Sequence, residues 1–554
     1  MVGSLFGTRI KDAKDMFSAG GQSPWWVSGL SGFMTMFSAG TFVVWGGIAF
    51  KHGLVAVSIN MAYGIAALLV GYFVAGHWRK LGVNTPAEYL ELRFGKAAIK
   101  FYTFAMMVYR LVGVGVALYS LAVILTALMP LPMNSFFRDI TTGNLAIHWA
   151  ILFFGSIVVL YTMIGGLWAV LMTDVLQFIV LNLAVLFVVP LAFMEAGGIS
   201  EFIRTAPEGF FWPTTGEYTW LFLAGWVAIH FFMLGAEWAF VQRYLCVPNA
   251  RDARKSSYLF GILYLISPLF WLLPPLLYRA IDPSANPEEA YILACQRVLP
   301  VGMLGLMVAA MFSATASMVS SQLNVFAGVL TYDFYHKIFK LDASEKHLVS
   351  VGRIITIFIG VILIIIAVLV PYMGGAESVI VSVTSLLVGP MLLPSLWGLF
   401  SKRIKQSSIW FTAFISFGVG AIIKFGLTKN GWFDGFAVLS DTIIWVTSNL
   451  RSLEIVAGVI LPFIILVVIE YRSKGISEGW NVINKKTAEE SEHLELKASP
   501  LPAKIVAWAI GICALLMFSL WMLNGDQVLL LFSLVLTLIA AILAWLAYKI
   551  QKSE

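Results

Sequence analysis

The sequence predicts an all-α polytopic membrane protein with about fourteen transmembrane helices, and three observations carry that prediction. Of its 554 residues, 60% are hydrophobic and only 12% are charged, against about 25% charged in a soluble chain; the mean hydropathy is +0.87. Apolar runs recur along almost the whole chain, many of them about 20 residues or longer, which is the length a helix needs to cross the hydrocarbon core. Alternation of period two is absent, which argues against an outer-membrane barrel.

In chain order, the spans are expected at about 24–50, 53–76, 97–129, 145–166, 172–194, 219–245, 257–280, 301–334, 349–371, 376–400, 406–427, 453–471, 504–523 and 526–548. The connections between them alternate in basic content. One set holds Arg9, Lys11 and Lys14, then Arg79, Lys80, Arg93, Lys96 and Lys100, then Arg243, Arg251, Arg254 and Lys255, then Lys402, Arg403 and Lys405. The other has little beyond Lys51, Arg138, Arg204, Arg279, Arg297 and Lys429. The positive-inside rule puts the first set, and both termini, on the cytoplasmic side of a plasma membrane (the inner membrane in a bacterium). The net charge of +6 follows from this distribution and does not point to nucleic acid.

Residues 1–23 then form a cytoplasmic N-terminal segment, and 473–503 a cytoplasmic loop whose polar composition predicts a loosely ordered connector. Met1–Phe6 is too short to span and lacks the basic n-region and cleavage site of a signal peptide. Either the first helix begins at Trp25 or an upstream helix has been cut off. Cys246, Cys295 and Cys513 lie far apart, make neither a zinc spacing nor a disulfide framework, and read as small apolar packing residues.

A helix that only spans is usually a continuous apolar run, and the first segment is not. It contains Ser28, Ser31, Thr35, Ser38 and Thr41, with Gly29, Gly32 and Gly40 between them. The sixth has the same character, with Gly235 between His230 and Glu237 in an otherwise apolar stretch. The two are five spans apart and run in opposite directions; interrupted helices at matching places of two halves are the sequence sign of an inverted-repeat transporter. Unwinding frees backbone carbonyls to coordinate a cation and N–H groups to face a solute. The alternative is that the small residues serve close helix packing alone; His230 and Glu237 at membrane depth favour the first reading. In the eighth segment Ser313, Ser317 and Ser321 recur every four residues, and Ser320 and Asn324 extend the same face. Hydroxyls are hard ligands suited to an alkali cation, although serines in membrane helices also bond their own i−4 carbonyls.

Six stretches follow one another in a telling order: Lys14-Asp-Met-Phe-Ser-Ala-Gly-Gly-Gln-Ser-Pro-Trp-Trp, Phe37-Ser-Ala-Gly-Thr-Phe, Thr85-Pro-Ala-Glu-Tyr-Leu-Glu-Leu-Arg-Phe-Gly, Tyr161-Thr-Met-Ile-Gly-Gly-Leu-Trp-Ala-Val-Leu-Met-Thr-Asp-Val-Leu-Gln, Gln242-Arg-Tyr-Leu, and Ser321-Gln-Leu-Asn with Tyr332-Asp-Phe-Tyr. Together, from about Lys11 to Lys405, they resemble the sodium:solute symporter family, which contains bacterial sugar, proline and sialic-acid symporters. The resemblance implies a five-plus-five inverted-repeat core of the leucine-transporter type, with repeats at 24–194 and 219–400 and accessory helices over 401–554. It implies secondary active transport of a small polar solute, with sodium as the coupling ion, no other cofactor and no catalytic residue. The implied sodium ligands are the carbonyls of Met34, Phe37 and Ala314 and the hydroxyl of Ser317. Asp174 matches an acidic residue near the inner end of that site; from the residues alone it is equally a cap or anchor for the next helix.

Two departures from the family pattern stand out. Met318 occupies a position where most sodium-coupled members carry a second Ser or Thr, and a thioether is a poor partner for a hard cation. Either Ser313, Thr315 or water replaces that oxygen, or coupling is weak or uses protons. The other departure is that the first half of an N-terminal helix, which the family normally shows, is missing from this sequence.

The expected solute site comprises Ser38, Thr41, Asn60, Arg110, His230, Glu237 and Tyr264. Sugar-carrying members place Gln, Glu, Asn and Lys where this chain has Thr41, Asn60, His230 and Tyr264; all four can still hydrogen bond. A monosaccharide, a sugar acid or another carboxylate is the expected partner, besides sodium and membrane lipid. Arg110 lies near the bilayer middle, where an uncompensated guanidinium costs at least ~2.5 kcal/mol. Its partner is a substrate carboxylate held bidentately, or else Glu237 or a carbonyl cluster that staples helices. His230 contacts a solute hydroxyl, reports a proton, or is a satisfied interior residue. Proton-coupled or sodium-independent transport, suggested by Met318 and His230, is the first rival, and a solute sensor the second. No His-Glu-x-x-His, nucleophile elbow or phosphate loop favours an enzyme.

Overall fold

The computed structural model describes residues 21–554 apart from 84, 163–166, 332–334, 336–343, 491–499 and 553–554. Most of the N-terminal segment, the Met163–Gly166 part of one motif and Tyr332–Phe334 of another lie outside the described residues, as does the side chain of Ser321. Regular structure is helical throughout the described residues, save two isolated bridges, Pro130 with Asn144 and Arg138 with Leu145.

Ten helices among the described residues are long and apolar enough to cross a membrane, and a pair bent by 54°, Trp220–Ala236 and Trp238–Leu245, makes eleven. These correspond to eleven of the expected spans. The first span is in pieces, Trp25–Met34, Thr41–Trp45 and Gly46–His52, so no single piece is long enough. The fourth, Ile147–Tyr161, runs up to the undescribed residues, and the thirteenth, Leu501–Asn524, is apolar over the shorter stretch Val506–Met522.

Lipid supplies no hydrophobic drive for helices to associate, so close packing of small residues does that work. Gly64 of the second span and Gly261 of the seventh illustrate it: a Cβ on Gly64 would stand 2.8 Å from the Gly261 carbonyl. The seventh span packs on the first and second and the sixth on the second, while the third packs on the eighth, ninth and tenth. The tenth and twelfth spans touch backbone to backbone, since a Cβ on Gly389 would lie 1.7 Å from the Gly458 oxygen. The twelfth helix is π-wound there, over Val456–Ile460.

The connector expected to be loosely ordered contains a helix, Glu478–Glu490. It docks on a second short helix, Pro86–Phe94, capped by the Thr85 hydroxyl, which accepts from Glu88 N–H at 3.1 Å. Arg93 fastens the pair, donating to the carbonyls of Gly398 (3.1 Å) and Ser401 (2.9 Å) and to Ser477 Oγ (2.9 Å). Lys486 pairs with Glu88, and Ile483 is buried. Polar composition misled because the order comes from these partners, some 400 residues away in sequence for Lys486 and Glu88.

The helix contact at Gly389 predicts that Gly389→Ala lowers the thermal unfolding midpoint of the purified protein by several degrees or prevents its isolation. Gly305→Ala, where a Cβ meets nothing within 4 Å, leaves the midpoint unchanged or slightly raised. Equal behaviour of the two variants in a thermal melt would refute the close approach.

Candidate functional site

Both interrupted helices break at mid-chain polar residues, and each break is built from local hydrogen bonds. In the first span the α-helix stops at Met34, and the chain turns through 35–38 before helical winding resumes at Ala39 and continues as a π-turn from Thr41. Phe37 N–H donates to the Met34 carbonyl at 2.9 Å, and Thr41 N–H to the Ser38 carbonyl at 3.0 Å. Ser38 and Thr41 side chains accept from the amides of Gly40 (3.1 Å) and Ser38 (3.2 Å). The Ala39 amide is capped from outside: Thr315 of the eighth span accepts from it at 2.9 Å and itself donates to the Met311 carbonyl at 2.9 Å. Ala314 adjoins Thr315 and Ser317 is two residues beyond it, so the expected sodium ligands belong to the two elements that this hydrogen bond joins. Ser313, the other proposed substitute oxygen, accepts from Gln177 Nε2 at 2.8 Å.

Asp174 lies seven residues inside Leu167–Glu195 and so does not cap that helix. It accepts from the Ser31 hydroxyl at 2.6 Å and faces the Arg243 guanidinium at 3.8 Å. Arg243 also donates to Ser31 Oγ (3.3 Å) and the Ala239 carbonyl (2.8 Å). All three side chains are buried. They tie the first, fifth and sixth spans together.

The sixth span bends at Glu237 rather than at Gly235, with Glu237 in extended conformation (φ −72°, ψ 135°). Its carbonyl accepts from Phe240 and Val241 N–H and starts the second half-helix. Gly235 serves packing instead: Trp78 Nε1 donates to its carbonyl at 2.7 Å. The Glu237 carboxylate meets Arg110, whose Nε donates to Oε1 at 3.1 Å while a terminal nitrogen contacts Oε2. The pair is buried, with 7% of Arg110 and 3% of Glu237 exposed. Of the partners considered for Arg110, the structure supplies Glu237.

A cavity of about 90 Å³ lies between the two breaks. Ser38, Thr41, Arg110 and His230 line it, and so does Met318. His230 Nδ1 is 2.8 Å from the Trp226 carbonyl; a carbonyl only accepts, so Nδ1 carries the proton and Nε2 is an acceptor. Nε2 has no hydrogen-bond partner among the described residues. Three expected residues lie outside the wall. Glu237 is held behind Arg110; Asn60 donates to its own helix at the Ala56 carbonyl (2.8 Å); Tyr264 stacks behind Tyr63, ring centroids 5.2 Å apart.

Sequence reasoning missed Tyr63, Trp45, Tyr109 and Thr384, which the cavity wall includes. Tyr63 is one helical turn from Asn60, on the same side of the second span. Its ring packs 3.7 Å from the His230 ring. Aromatic residues abound in this chain, and nothing in their spacing separates wall from core.

Comparison with known proteins places this geometry. The model of the sodium:solute symporter family matches residues 16–415. The sodium/sialic acid symporter NanT of Aliivibrio fischeri is 29% identical over 74% of this chain and 81% of its own. SiaT of Proteus mirabilis, also a sodium/sialic acid symporter, is 29% identical over 78% and 89%. The sodium/glucose cotransporter of Vibrio parahaemolyticus is 27% identical over 75% and 80%. Among solved structures, a substrate-bound, outward-open Na⁺-coupled sialic acid symporter superposes with a TM-score of 0.64 at 25% identity, covering 86% of this chain and 96% of that one. The fold extends to Mhp1, a nucleobase-cation-symport transporter, at a TM-score of 0.50.

The Thr315 cap predicts that Thr315→Val, which keeps the shape and removes the hydroxyl, strands the Ala39 amide and destabilises the protein by about 1–3 kcal/mol. A thermal or denaturant titration checks it, and wild-type stability would show that water takes over the cap.

Proposed function

The chain belongs to the sodium:solute symporter family, and from that premise we propose that it couples sodium entry to uptake of a small hydroxylated solute, a monosaccharide or sugar acid. One observation carries the solute reading: the first-span break and the sixth span, through His230 and Met233, border a cavity whose wall combines hydroxyls, an imidazole and aromatic rings. Such a mixture fits a ligand with apolar ring faces and hydroxyl edges. The sialic acid and glucose substrates of the relatives are of that kind.

Sodium is held, in this proposal, by the Met34, Phe37 and Ala314 carbonyls and the Ser317 hydroxyl, with Asp174 near its inner exit. These are hard oxygens of the kind an alkali cation prefers. Because the ligands span the first-span break and the eighth helix, the ion favours whichever arrangement keeps those two together. The solute contacts Ser38 and Thr41 on the other side of the same break, so both ligands bias one element. Rocking of the repeats then opens the site alternately to each side. The membrane is the plasma membrane, with both termini in the cytoplasm, in keeping with the basic loops.

The test is thermal stability of the purified protein with a sugar and sugar-acid panel, in sodium or potassium. A ligand-induced rise is expected in sodium only. Ser317→Ala is expected to raise the half-effective sodium concentration roughly tenfold, equivalent to about 1.4 kcal/mol. Equal rises in both salts would make the carrier sodium-independent; an unchanged sodium requirement in the variant would remove Ser317 from the site.

A further inference from the structure

We infer that the cavity selects an uncharged polyhydroxylated solute over the corresponding acid, and that Glu237, which lies outside the cavity wall, sets this selectivity. The inference rests on the symport reading above and narrows its substrate class.

The argument is one of charge. Arg110 carries the one permanent formal charge in the cavity wall formed by the described residues. That charge is already matched: the guanidinium Nε donates to Glu237 Oε1 at 3.1 Å, and a terminal nitrogen contacts Oε2. Both partners are buried, so the pairing is not dissipated by solvent screening. Arg110 and Glu237 therefore sum to zero, and the remaining wall residues are hydroxyls, thioethers, glycines, aliphatic side chains, aromatic rings and an imidazole whose Nδ1 proton is committed to the Trp226 carbonyl.

A solute carboxylate entering this wall has two courses. It shares Arg110 with Glu237, which sets two anions around one cation in a site that water scarcely reaches. Or it displaces Glu237 and leaves that carboxylate buried without a partner, at the bend of the sixth span, which is the costly way to break a buried pair. A neutral polyol meets neither penalty. Its hydroxyls find donor–acceptor groups in Ser38, Thr41 and Thr384, while Tyr63 and Trp45 add aromatic surface to the wall. Glu237 thus works through Arg110, by holding the guanidinium against its own carboxylate.

Matched pairs separate the alternatives: glucose with glucuronate, galactose with galacturonate, and N-acetylmannosamine with N-acetylmannosaminuronate, each titrated against the full-length protein in sodium buffer with binding read by calorimetry or thermal shift. The wild-type protein is expected to bind a neutral member at least tenfold more tightly than its acid. Glu237→Gln, which keeps the shape and removes the negative charge, is expected to move that ratio at least tenfold toward the acid. The wild-type comparison decides alone if the variant does not fold. An acid bound as tightly as its neutral partner by wild type overturns the inference and makes the co-bound cation the countercharge. An unchanged ratio in folded Glu237→Gln removes Glu237 from selectivity. Binding of no member in sodium, neutral or acidic, overturns the sugar-symport reading and this inference with it.

Discussion

Hydrocarbon offers no partner to a backbone N–H or C=O, so a membrane helix can be interrupted only where protein satisfies the freed groups. That constraint organises this molecule. The first span is open over 35–38, and the amides at 38–40 are met by Ser38, Thr41 and, across the helix boundary, Thr315. The sixth is open at Glu237, whose carbonyl starts the next half-helix while its side chain is claimed by Arg110. Each break is thus stabilised by a side chain from another span, and those spans, the third and the eighth, are thereby fixed around the cavity. Polar residues that would be a liability in lipid become the means of positioning four helices.

Charged groups at membrane depth follow the same logic. Asp174, Ser31 and Arg243 join three spans. On the accessory side, Glu454 is wholly buried between Lys424 (3.1 Å) and Arg451 (3.4 Å), and both cations also reach Ser382 of the tenth span, at 2.8 and 3.1 Å. A buried ion pair gives little net stability, but removing one partner is strongly destabilising. Such clusters therefore act as registry marks. They hold helices whose apolar surfaces alone, being as greasy as lipid, would slide past one another.

The span pattern was legible because hydrophobic length is a one-dimensional property. The break in the first span was legible too, since Ser, Thr and Gly crowd there for a reason local to the chain. Residues whose role depends on a distant partner were harder. Gly235 looked like the sixth-span break, yet Glu237 is the bend, because the extended turn is paid for by a carboxylate held from the third span. Asn60 and Tyr63 are a turn apart, and only packing against His230 decides that the tyrosine faces the cavity while the amide bonds its own helix. The helix Glu478–Glu490 was illegible for the same reason: its sequence is polar, and its order comes from Arg93 and Glu88.

The loss of a hydroxyl at Met318 has a counterpart in this geometry. Met318 lines the cavity proposed to receive the solute, so its side chain belongs to that wall. Thr315, three residues earlier, spends its hydroxyl on the Ala39 amide, between the backbone that presents Phe37 and the side chains Ser38 and Thr41. Solute and cation would then meet the same short stretch of chain, 34–41, from opposite sides, and any shift in that stretch is felt at both. Coupling in such an arrangement needs no signal carried through the bundle. It follows from two ligands biasing one bistable element, whose free backbone groups are too few to serve two conformations equally well.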